Sequence, residues 1–324
     1  MFNKMIRIPK FRKGLTKLMD SQLEKILLSS TSCSSIKKIE LIQKLWSGYG
    51  SLNRVVLDDK SVILKLIKFP NKGTHPRGWN TTLSHERKAL SYSVEMNWYQ
   101  NYNTPIFHAR IPRLIQQGEL KGKEKFLIME DLTAFGLFPK TTISKAQIKL
   151  CLKWLAKFHS HYLNIEPSHL WPIGTYWHLD TRPDELKAMR DKELKKVAHL
   201  IDHKLNSSKH KTIVHGDAKI ANFLFKENEV AAVDFQYVGG GVGVKDVAYF
   251  LSSIYDEEEL YKKESWCLDT YFKELAKPEV EKEWRELYPY VWCDFYRFLN
   301  GWSPGHYKLN SYSKQMKNKV LEWI

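Results

Sequence analysis

Apolar and polar positions change their spacing along this chain, and the changes mark regions of different structure. Residues 15–28 carry Leu15, Leu18, Met19, Leu23, Ile26 and Leu27, an imperfect helical stripe. After "SSTSCSS" the pattern turns strand-like, and Ile39 to Leu45 predicts a short strand. "LNRVVLDDKSVILKLIKF" predicts two strands joined at Asp58-Asp59, the second rich in β-branched and aliphatic residues. "PNKGTHPRGWN" reads as a loop, and a helix is expected from about Thr82 to Tyr99. "ARIPRLIQQGELKGKEKFLIMEDL" then predicts a strand, a turn at Lys121 to Lys123, and a further strand.

Helical spacing dominates the remainder. In "ISKAQIKLCLKWLAKFHSHYL", Ile148, Cys151, Leu152, Leu155 and Tyr162 share one face. Pro183 suits the first turn of a helix expected to run through "DELKAMRDKELKKVAHLI". Short apolar runs at Phe223 to Phe225 and Val230 to Phe235 flank "KENE" and predict a small hairpin. Helices return from about Asp246, in "EELYKKESWCLDTYFKEL", and in "KEWRELYPYVWCDFYRFL". The expectation is an α+β chain of two lobes. A sheet-rich N-terminal lobe takes residues 1–131 and a helical C-terminal lobe takes 132–324, with the boundary near Glu130 to Phe138. A cleft between such lobes is a natural ligand site.

Composition narrows the class of protein. At 324 residues the chain can build one large domain or two lobes with real cores. Its abundant Trp, Tyr and Phe argue against disorder over most of its length. The formal net charge of +15 suits a nucleic-acid binder or an enzyme with an anionic substrate such as a nucleotide. The lysines are spread along the chain, however, with no zinc-finger spacing, arginine tract or basic zipper, so no nucleic-acid partner is expected. Cys33, Cys151, Cys267 and Cys293 form no CxxC pair and read as free thiols suited to a reducing compartment. The basic start lacks the apolar core of a secretory signal, and no stretch approaches the roughly 20 apolar residues of a membrane span. The expected location is cytoplasmic. Composition gives no reason to propose a particular oligomer.

The chemistry concentrates in "HGDAKIANFLF". Its spacing is His215-x-Asp217-x4-Asn222, and Asp234 follows in "AAVDFQYVGG". Phosphoryl transfer requires one carboxylate to orient or deprotonate the attacking hydroxyl. It requires another carboxylate and an amide oxygen to hold divalent metal against the phosphates. A hairpin between Asn222 and Asp234 brings them together. Asp217 is thus the candidate base, and Asp234 and Asn222 are candidate ligands for Mg²⁺, which prefers oxygen donors. Lys219 is a candidate for neutralising charge on the transferred phosphate. His215 completes the catalytic set, either bracing the loop through a hydrogen bond or taking part directly.

Other segments supply what a nucleotide needs. "WSGYGS" places Gly48 and Gly50 between expected strands, where bare backbone N–H groups can approach phosphate, although two glycines make many ordinary turns. No GxxxxGK[ST] sequence is present, so the phosphate site is not of the Walker type. Lys65, inside the apolar strand "SVILKLIKF", wants an anionic partner. Glu95 is the favoured one, Glu86 the alternative, and Lys68 serves as an exposed control. Met129, Glu130 and Leu132 in "KFLIMEDL" form the expected connector, where adenine can bond to backbone groups.

In order along the chain, "LWSGYGSLNRV", "VILKLIKFP", "SYSVEMNWYQ", "LIMEDL", "HGDAKIANFLF", "VDFQYVGGGVGVKDVAYFL" and "RFLNGWSPGHYKLN" resemble the protein-kinase-like small-molecule phosphotransferases. That superfamily includes aminoglycoside phosphotransferases and choline kinases. The nearest likeness is to the ecdysteroid-kinase-like, or CHK-kinase-like, branch, over about residues 40–310. The resemblance implies a protein-kinase-like bilobal fold and ATP- and Mg²⁺-dependent transfer to a small hydroxylated acceptor. It makes Lys65 the nucleotide-phosphate lysine, Glu95 its partner, Asp217 catalytic, and Asn222 and Asp234 the metal ligands. The DFG-like position reads Asp234-Phe235-Gln236, and no APE segment follows, which disfavours protein phosphorylation. Asp246 is expected either to brace the catalytic loop or to cap a helix. Trp292, Asp294, Phe295, Trp302 and His306 form a candidate acceptor region, or else simple helix packing. A noncatalytic nucleotide-binding protein of the same fold is the competing function.

Overall fold

The structure, a computed structural model, describes residues 20–69, 82–106 and 108–324; Leu15, Leu18 and Met19 of the first stripe and the whole "PNKGTHPRGWN" loop lie outside them. The described chain forms two compact units. One runs to His85 and resumes over Arg113–Phe135; the other comprises Glu86–Pro112 and Gly136–Ile324.

The first unit is built on a five-stranded antiparallel sheet. Its strands are β1 (Ile36–Lys44), β2 (Gly50–Leu57), β3 (Ser61–Ile67), β4 (Leu114–Glu119) and β5 (Lys125–Glu130), in the order β1-β2-β3-β5-β4. Helix α1 (Ser21–Thr31) is capped by the Asp20 carboxylate, which accepts from the Gln22 N–H at 3.2 Å. Leu23 and Leu27, four residues apart on this helix, pack with Val55, Leu57, Val62, Leu64, Leu66, Phe126 and Ile128. Strand periodicity puts Val62, Leu64 and Leu66 of β3 on that core face and leaves Lys65 on the other. Truncating a core leucine such as Leu64 to Ala should cost about 2–5 kcal/mol. Lys65 lies opposite Leu52 and Leu127 in the ladder and is 4% exposed.

Two features order the ends of this sheet. Gly50 has φ +124°, and a Cβ there would stand 2.0 Å from the Leu66 carbonyl oxygen, so the turn into β2 requires glycine. Beyond β5, the buried Asp131 carboxylate accepts from Arg54 Nε, Ser61 Oγ and Thr133 Oγ, each at 2.7 Å, and from the Thr133 N–H at 3.0 Å. These hydrogen bonds draw its pKa down against the opposing effect of burial.

Helix α2 spans Thr82–Asn101 and belongs to the second unit from Glu86 onward. The other long elements are α3 (Lys145–His161), α4 (Pro183–Ala188), α5 (Lys192–Asn206), α6 (Val244–Ile254), α7 (Glu257–Leu275), α8 (Pro278–Trp302) and α9 (Ser311–Trp323). Helix α8 is the hub, with α4, α5, α6 and α9 packed on it, while α3 packs on α7. The single helix expected from Pro183 is two helices. Met189 leaves the helix as an extended residue, and the Asp191 carboxylate caps α5 by accepting from the Leu194 N–H at 3.0 Å.

Short strands carry the polar loops. β8 (Phe223–Phe225) and β9 (Val230–Ala232) form the expected hairpin, joined by β6 (Phe138–Pro139). β7 (Thr212–Val214) pairs antiparallel with β10 (Gly239–Gly241), with Val214 opposite Gly239. No described helix is long and apolar enough to cross a membrane.

Candidate active site

β7 delivers the chain into "HGD", and three contacts set that loop. Gly216 has φ +79°, and a Cβ there would lie 2.0 Å from the Tyr237 carbonyl oxygen; only glycine lets the loop pass this close to the strand entering β10. His215 is fully buried. Its Nε2 donates to the Val233 carbonyl at 3.0 Å, and its Nδ1 accepts from the Asp217 N–H at 3.2 Å. Both ring nitrogens are thus committed to backbone, which is a bracing arrangement. Asp246, within the first turn of α6, accepts from the His215 N–H at 2.6 Å, the Gly216 N–H at 2.9 Å and His159 Nε2 at 3.0 Å. It therefore braces the loop and does not cap the helix. A carboxylate only accepts here, so His159 carries a proton on Nε2, and its Nδ1 shares a hydrogen bond with the Tyr271 hydroxyl at 2.8 Å.

The loop holds Asp217 at 6% exposure. Oδ2 accepts from Lys219 Nζ at 2.8 Å and from Asn222 Nδ2 at 3.0 Å, while Oδ1 is buried with no hydrogen-bond partner. Burial opposes the Lys219 ammonium, but Asp217, aided by Asp234, outweighs it and holds that lysine above its ordinary range. Asn222 Nδ2 also donates to the Asp217 carbonyl at 2.8 Å, which turns the amide oxygen away from Asp217.

The β8–β9 hairpin returns the chain, and the Val233 N–H donates to the Asn222 carbonyl at 2.9 Å. Asp234 follows at φ 69°, a left-handed conformation that Asp tolerates better than most residues. Gln236 has a definite role. Its Nε2 donates to Asp234 Oδ1 at 2.6 Å, and its Oε1 accepts from Lys88 Nζ at 2.7 Å and Ser91 Oγ at 3.3 Å on α2. Phe235 is wedged between Trp98, stacked at 4.8 Å, and His215 at 4.6 Å. Glu95 of the same helix is 1% exposed, and its charge and that of Asp234 both reach the buried Tyr99 phenol, whose pKa burial already raises. Glu86 is exposed.

The expected nucleotide residues of the first unit stand as follows. Gly48 has open space around its α-carbon at φ +79°. Met129 and Leu132 are buried, and at the end of β5 the Glu130 N–H donates to the Arg113 carbonyl at 2.9 Å while the Arg113 N–H donates to the Glu130 carboxylate at 3.3 Å. Lys68 is exposed and pairs with Glu124 at 2.9 Å.

The candidate acceptor region divides. Asp294 is buried and accepts from Arg297 Nε at 2.8 Å, and with Asp202 it faces the fully buried Lys245 ammonium. Arg297, one helical turn away, captures the carboxylate, which favours the helix-packing reading of this region over an acceptor role for Asp294. Trp292 packs edge-on against Tyr312 of α9 at 5.0 Å, and Trp302 stacks on Phe298 at 5.6 Å and lies 6.1 Å from His306. Phe295 faces Tyr249 at 5.4 Å and Trp177 at 5.1 Å. Burial first, then the Tyr176 phenol and Asp217, each acting through charge and a side-chain hydrogen bond, hold Tyr249 well above its ordinary range. Sequence reasoning missed Tyr176, Tyr249 and Lys308 around Asp217, since aromatic and basic residues scattered over three segments carry no spacing signal.

Solved structures share this architecture. The chain is similar to the microcompartment-associated aminopropanol kinase, at 14% identity over 94% of each chain with a TM-score of 0.55. It is similar to the amicoumacin kinase hAmiN in complex with AMP-PNP, Ca²⁺ and Ami, at 15% identity over 96% of this chain and 94% of that one, TM-score 0.51. A thermostable aminoglycoside phosphotransferase APH(4)-Ia, in ternary complex with AMP-PNP and hygromycin B, aligns at 10% identity over 93% and 98%, TM-score 0.54. The fold is therefore that of the protein-kinase-like phosphotransferases, with a sheet-rich N-terminal unit and a helical C-terminal unit. A sequence model of the "Ecdysteroid kinase-like family" matches residues 174–282, the stretch that holds the "HGD" loop and the hairpin. Over that stretch the chain is similar to the ecdysteroid-kinase-like family, and over most of its length it shares the fold of these kinases. No curated protein matches it in sequence.

Proposed function

We propose that this protein is an ATP- and Mg²⁺-dependent phosphotransferase acting on a hydroxyl of a small molecule. The observation that carries the reading is the buried Asp217, with one oxygen tied to Lys219 and Asn222 and the other without a hydrogen-bond partner. An acceptor hydroxyl supplies the donor that Oδ1 lacks. The acceptor oxygen bonds to the γ-phosphorus as the bond to the β–γ bridging oxygen breaks, ADP keeps that electron pair, and the hydroxyl proton passes to Asp217. Lys219, charged and beside Asp217, stabilises the negative charge on the phosphoryl oxygens in transit. His215 and Asp246 act through the backbone of the loop, as positioning residues.

The metal reading fits the donor set. Asp234 and the amide oxygen of Asn222 offer hard oxygen ligands, and the described residues contain no cluster of three or more His, Cys, Asp or Glu able to hold an ion alone. That matches a Mg²⁺ bound through one or two protein oxygens together with water and phosphate. When bound, Mg²⁺ neutralises the charge of the β- and γ-phosphates. Gln236 orients Asp234 for this role. For the nucleotide we assign Gly48, Gly50, Lys65, Met129, Glu130 and Leu132, with Glu95 as the partner of Lys65. The relatives that carry AMP-PNP support nucleotide use, and their acceptors are not transferred to this chain.

The test is incubation with ATP, Mg²⁺ and a library of alcohols, followed by mass spectrometry for phosphorylated products. The reading expects a product that requires both Mg²⁺ and Asp217. Metal-dependent nucleotide binding with no product from any acceptor would favour a noncatalytic binding protein instead.

A further inference from the structure

Asp217 has a second cation in its surroundings. Lys308 lies between α8 and α9 and is only 9% exposed. Its Nζ donates to Ser252 Oγ at 3.1 Å, and Ser252 in turn donates its own proton to the Tyr249 carbonyl at 2.7 Å. The ammonium stands 5.0 Å from the ring centroid of Tyr249, 5.7 Å from Phe295 and 5.9 Å from Tyr307. Among the described residues no carboxylate forms an ion pair with it. The acid whose charge reaches it is Asp217, and Lys219 opposes it. Burial pushes its pKa down to about 8, so it still carries its proton at neutral pH.

A buried ammonium without a carboxylate partner is expensive, and it has three donors to satisfy. Ser252 takes one, and ring faces flank the rest. The same neighbourhood holds the Asp217 carboxylate, and Tyr249 links the two, since its ring faces Lys308 and its phenol interacts with Asp217 through charge and hydrogen bonding. An acceptor bearing an ammonium group would meet two lysines of like charge here. An acceptor bearing a carboxylate or phosphate would give Lys308 the partner it lacks, and a flat apolar body would suit Tyr249 and Phe295. The net charge of +15 favours the approach of such an anion.

We propose that Lys308 is a specificity-determining residue that selects an acceptor carrying an anionic group, held against Tyr249 and Phe295 with its hydroxyl at Asp217. This inference rests on the phosphotransferase reading but is tested without turnover. Three probes share one skeleton: 4-hydroxyphenylacetate, its neutral amide, and the cationic tyramine. Their binding to the full chain is measured by titration calorimetry at pH 7. The expected result is binding of the anion at least about tenfold tighter than of tyramine. That preference should vanish in Lys308→Met, which removes the charge but keeps the stem, and survive in Lys308→Arg. Tyramine binding as tightly as the anion, no saturable binding of the anion, or a preference that persists in Lys308→Met would each overturn the proposal. A failure of Asp217-dependent phosphoryl transfer would count against the function itself and would leave these binding ratios as they are.

Discussion

Replacing Asp246 by Asn probes the anchor of the "HGD" loop with a change of almost no volume. The wild-type carboxylate is fully buried and accepts three hydrogen bonds, two on Oδ2 from His215 N–H and His159 Nε2, and one on Oδ1 from Gly216 N–H. An amide keeps only one oxygen. Whichever way it turns, its NH₂ faces at least one N–H, and a buried donor left unpaired costs about 1–3 kcal/mol. The remaining bonds lose the charge that made them roughly twice as strong, about another 1 kcal/mol. The expected loss is about 2–4 kcal/mol in the free energy that keeps the loop closed. At a factor of ten per 1.4 kcal/mol, that is a roughly 25- to 700-fold rise in amide exchange. Hydrogen exchange at the His215 and Gly216 amides reads it directly. Exchange within about threefold of wild type would refute the claim that Asp246 holds the loop.

Two further perturbations follow from the same geometry and from an unrelated site. Gln236→Ala removes the donor that fixes Asp234 Oδ1 and the tie to Lys88, so Mg²⁺-dependent nucleotide affinity should fall about 10- to 100-fold, with metal-free nucleotide binding unchanged. Equal loss with and without Mg²⁺, measured by calorimetry, would place Gln236 outside the metal site. Glu264 of α7 is raised to about 7 by burial, against the opposing charge of Lys319. The folded state therefore binds more protons than the unfolded one between about pH 4.5 and 7, and this residue's contribution to stability is lost as pH rises through that window. Glu264→Gln should flatten that slope and stabilise the protein by about 1–3 kcal/mol at pH 8, with little effect at pH 4.5. Denaturant midpoints that shift equally at both pH values would contradict the assignment.

The strongly patterned parts of the molecule were readable from the chain. The apolar, largely β-branched and aliphatic runs in "SVILKLIKF" and "KFLIMED" define β3 and β5, and "FLFKENEVAAVDF" defines the hairpin that carries Asp234 back toward the loop. The polar residues of "HGDAKIAN" were legible because chemistry ties residue type to spacing. What failed depended on contacts between distant segments or on competition within one helix. β7 and β10 are three residues each, and β10 is all glycine, so neither shows a period. Asp294 could be read as an acceptor contact or as packing, and only its pairing with Arg297, at i+3 on α8, decides between them. The break before Asp191 did leave a signal, an Asp three residues before Leu194 that caps a new helix. Gln236 stood out as a departure from DFG, yet its grip on Asp234 needs Lys88 and Ser91, about 145 residues earlier. Lys308 gave no sign at all, because only tertiary packing distinguishes a buried lysine in a turn from a solvated one.

The central claim is that the terminal phosphoryl group of ATP passes directly to a small acceptor whose hydroxyl proton Asp217 takes. It is met most directly by incubating wild type and Asp217→Asn with γ-¹⁸O-labelled ATP, Mg²⁺ and a metabolite extract, and reading label in small molecules by mass spectrometry. The account predicts at least one labelled phosphorylated product with wild type, reduced about 100-fold or more in Asp217→Asn while nucleotide binding is retained. Equal labelling by both proteins, or none by wild type, would contradict it.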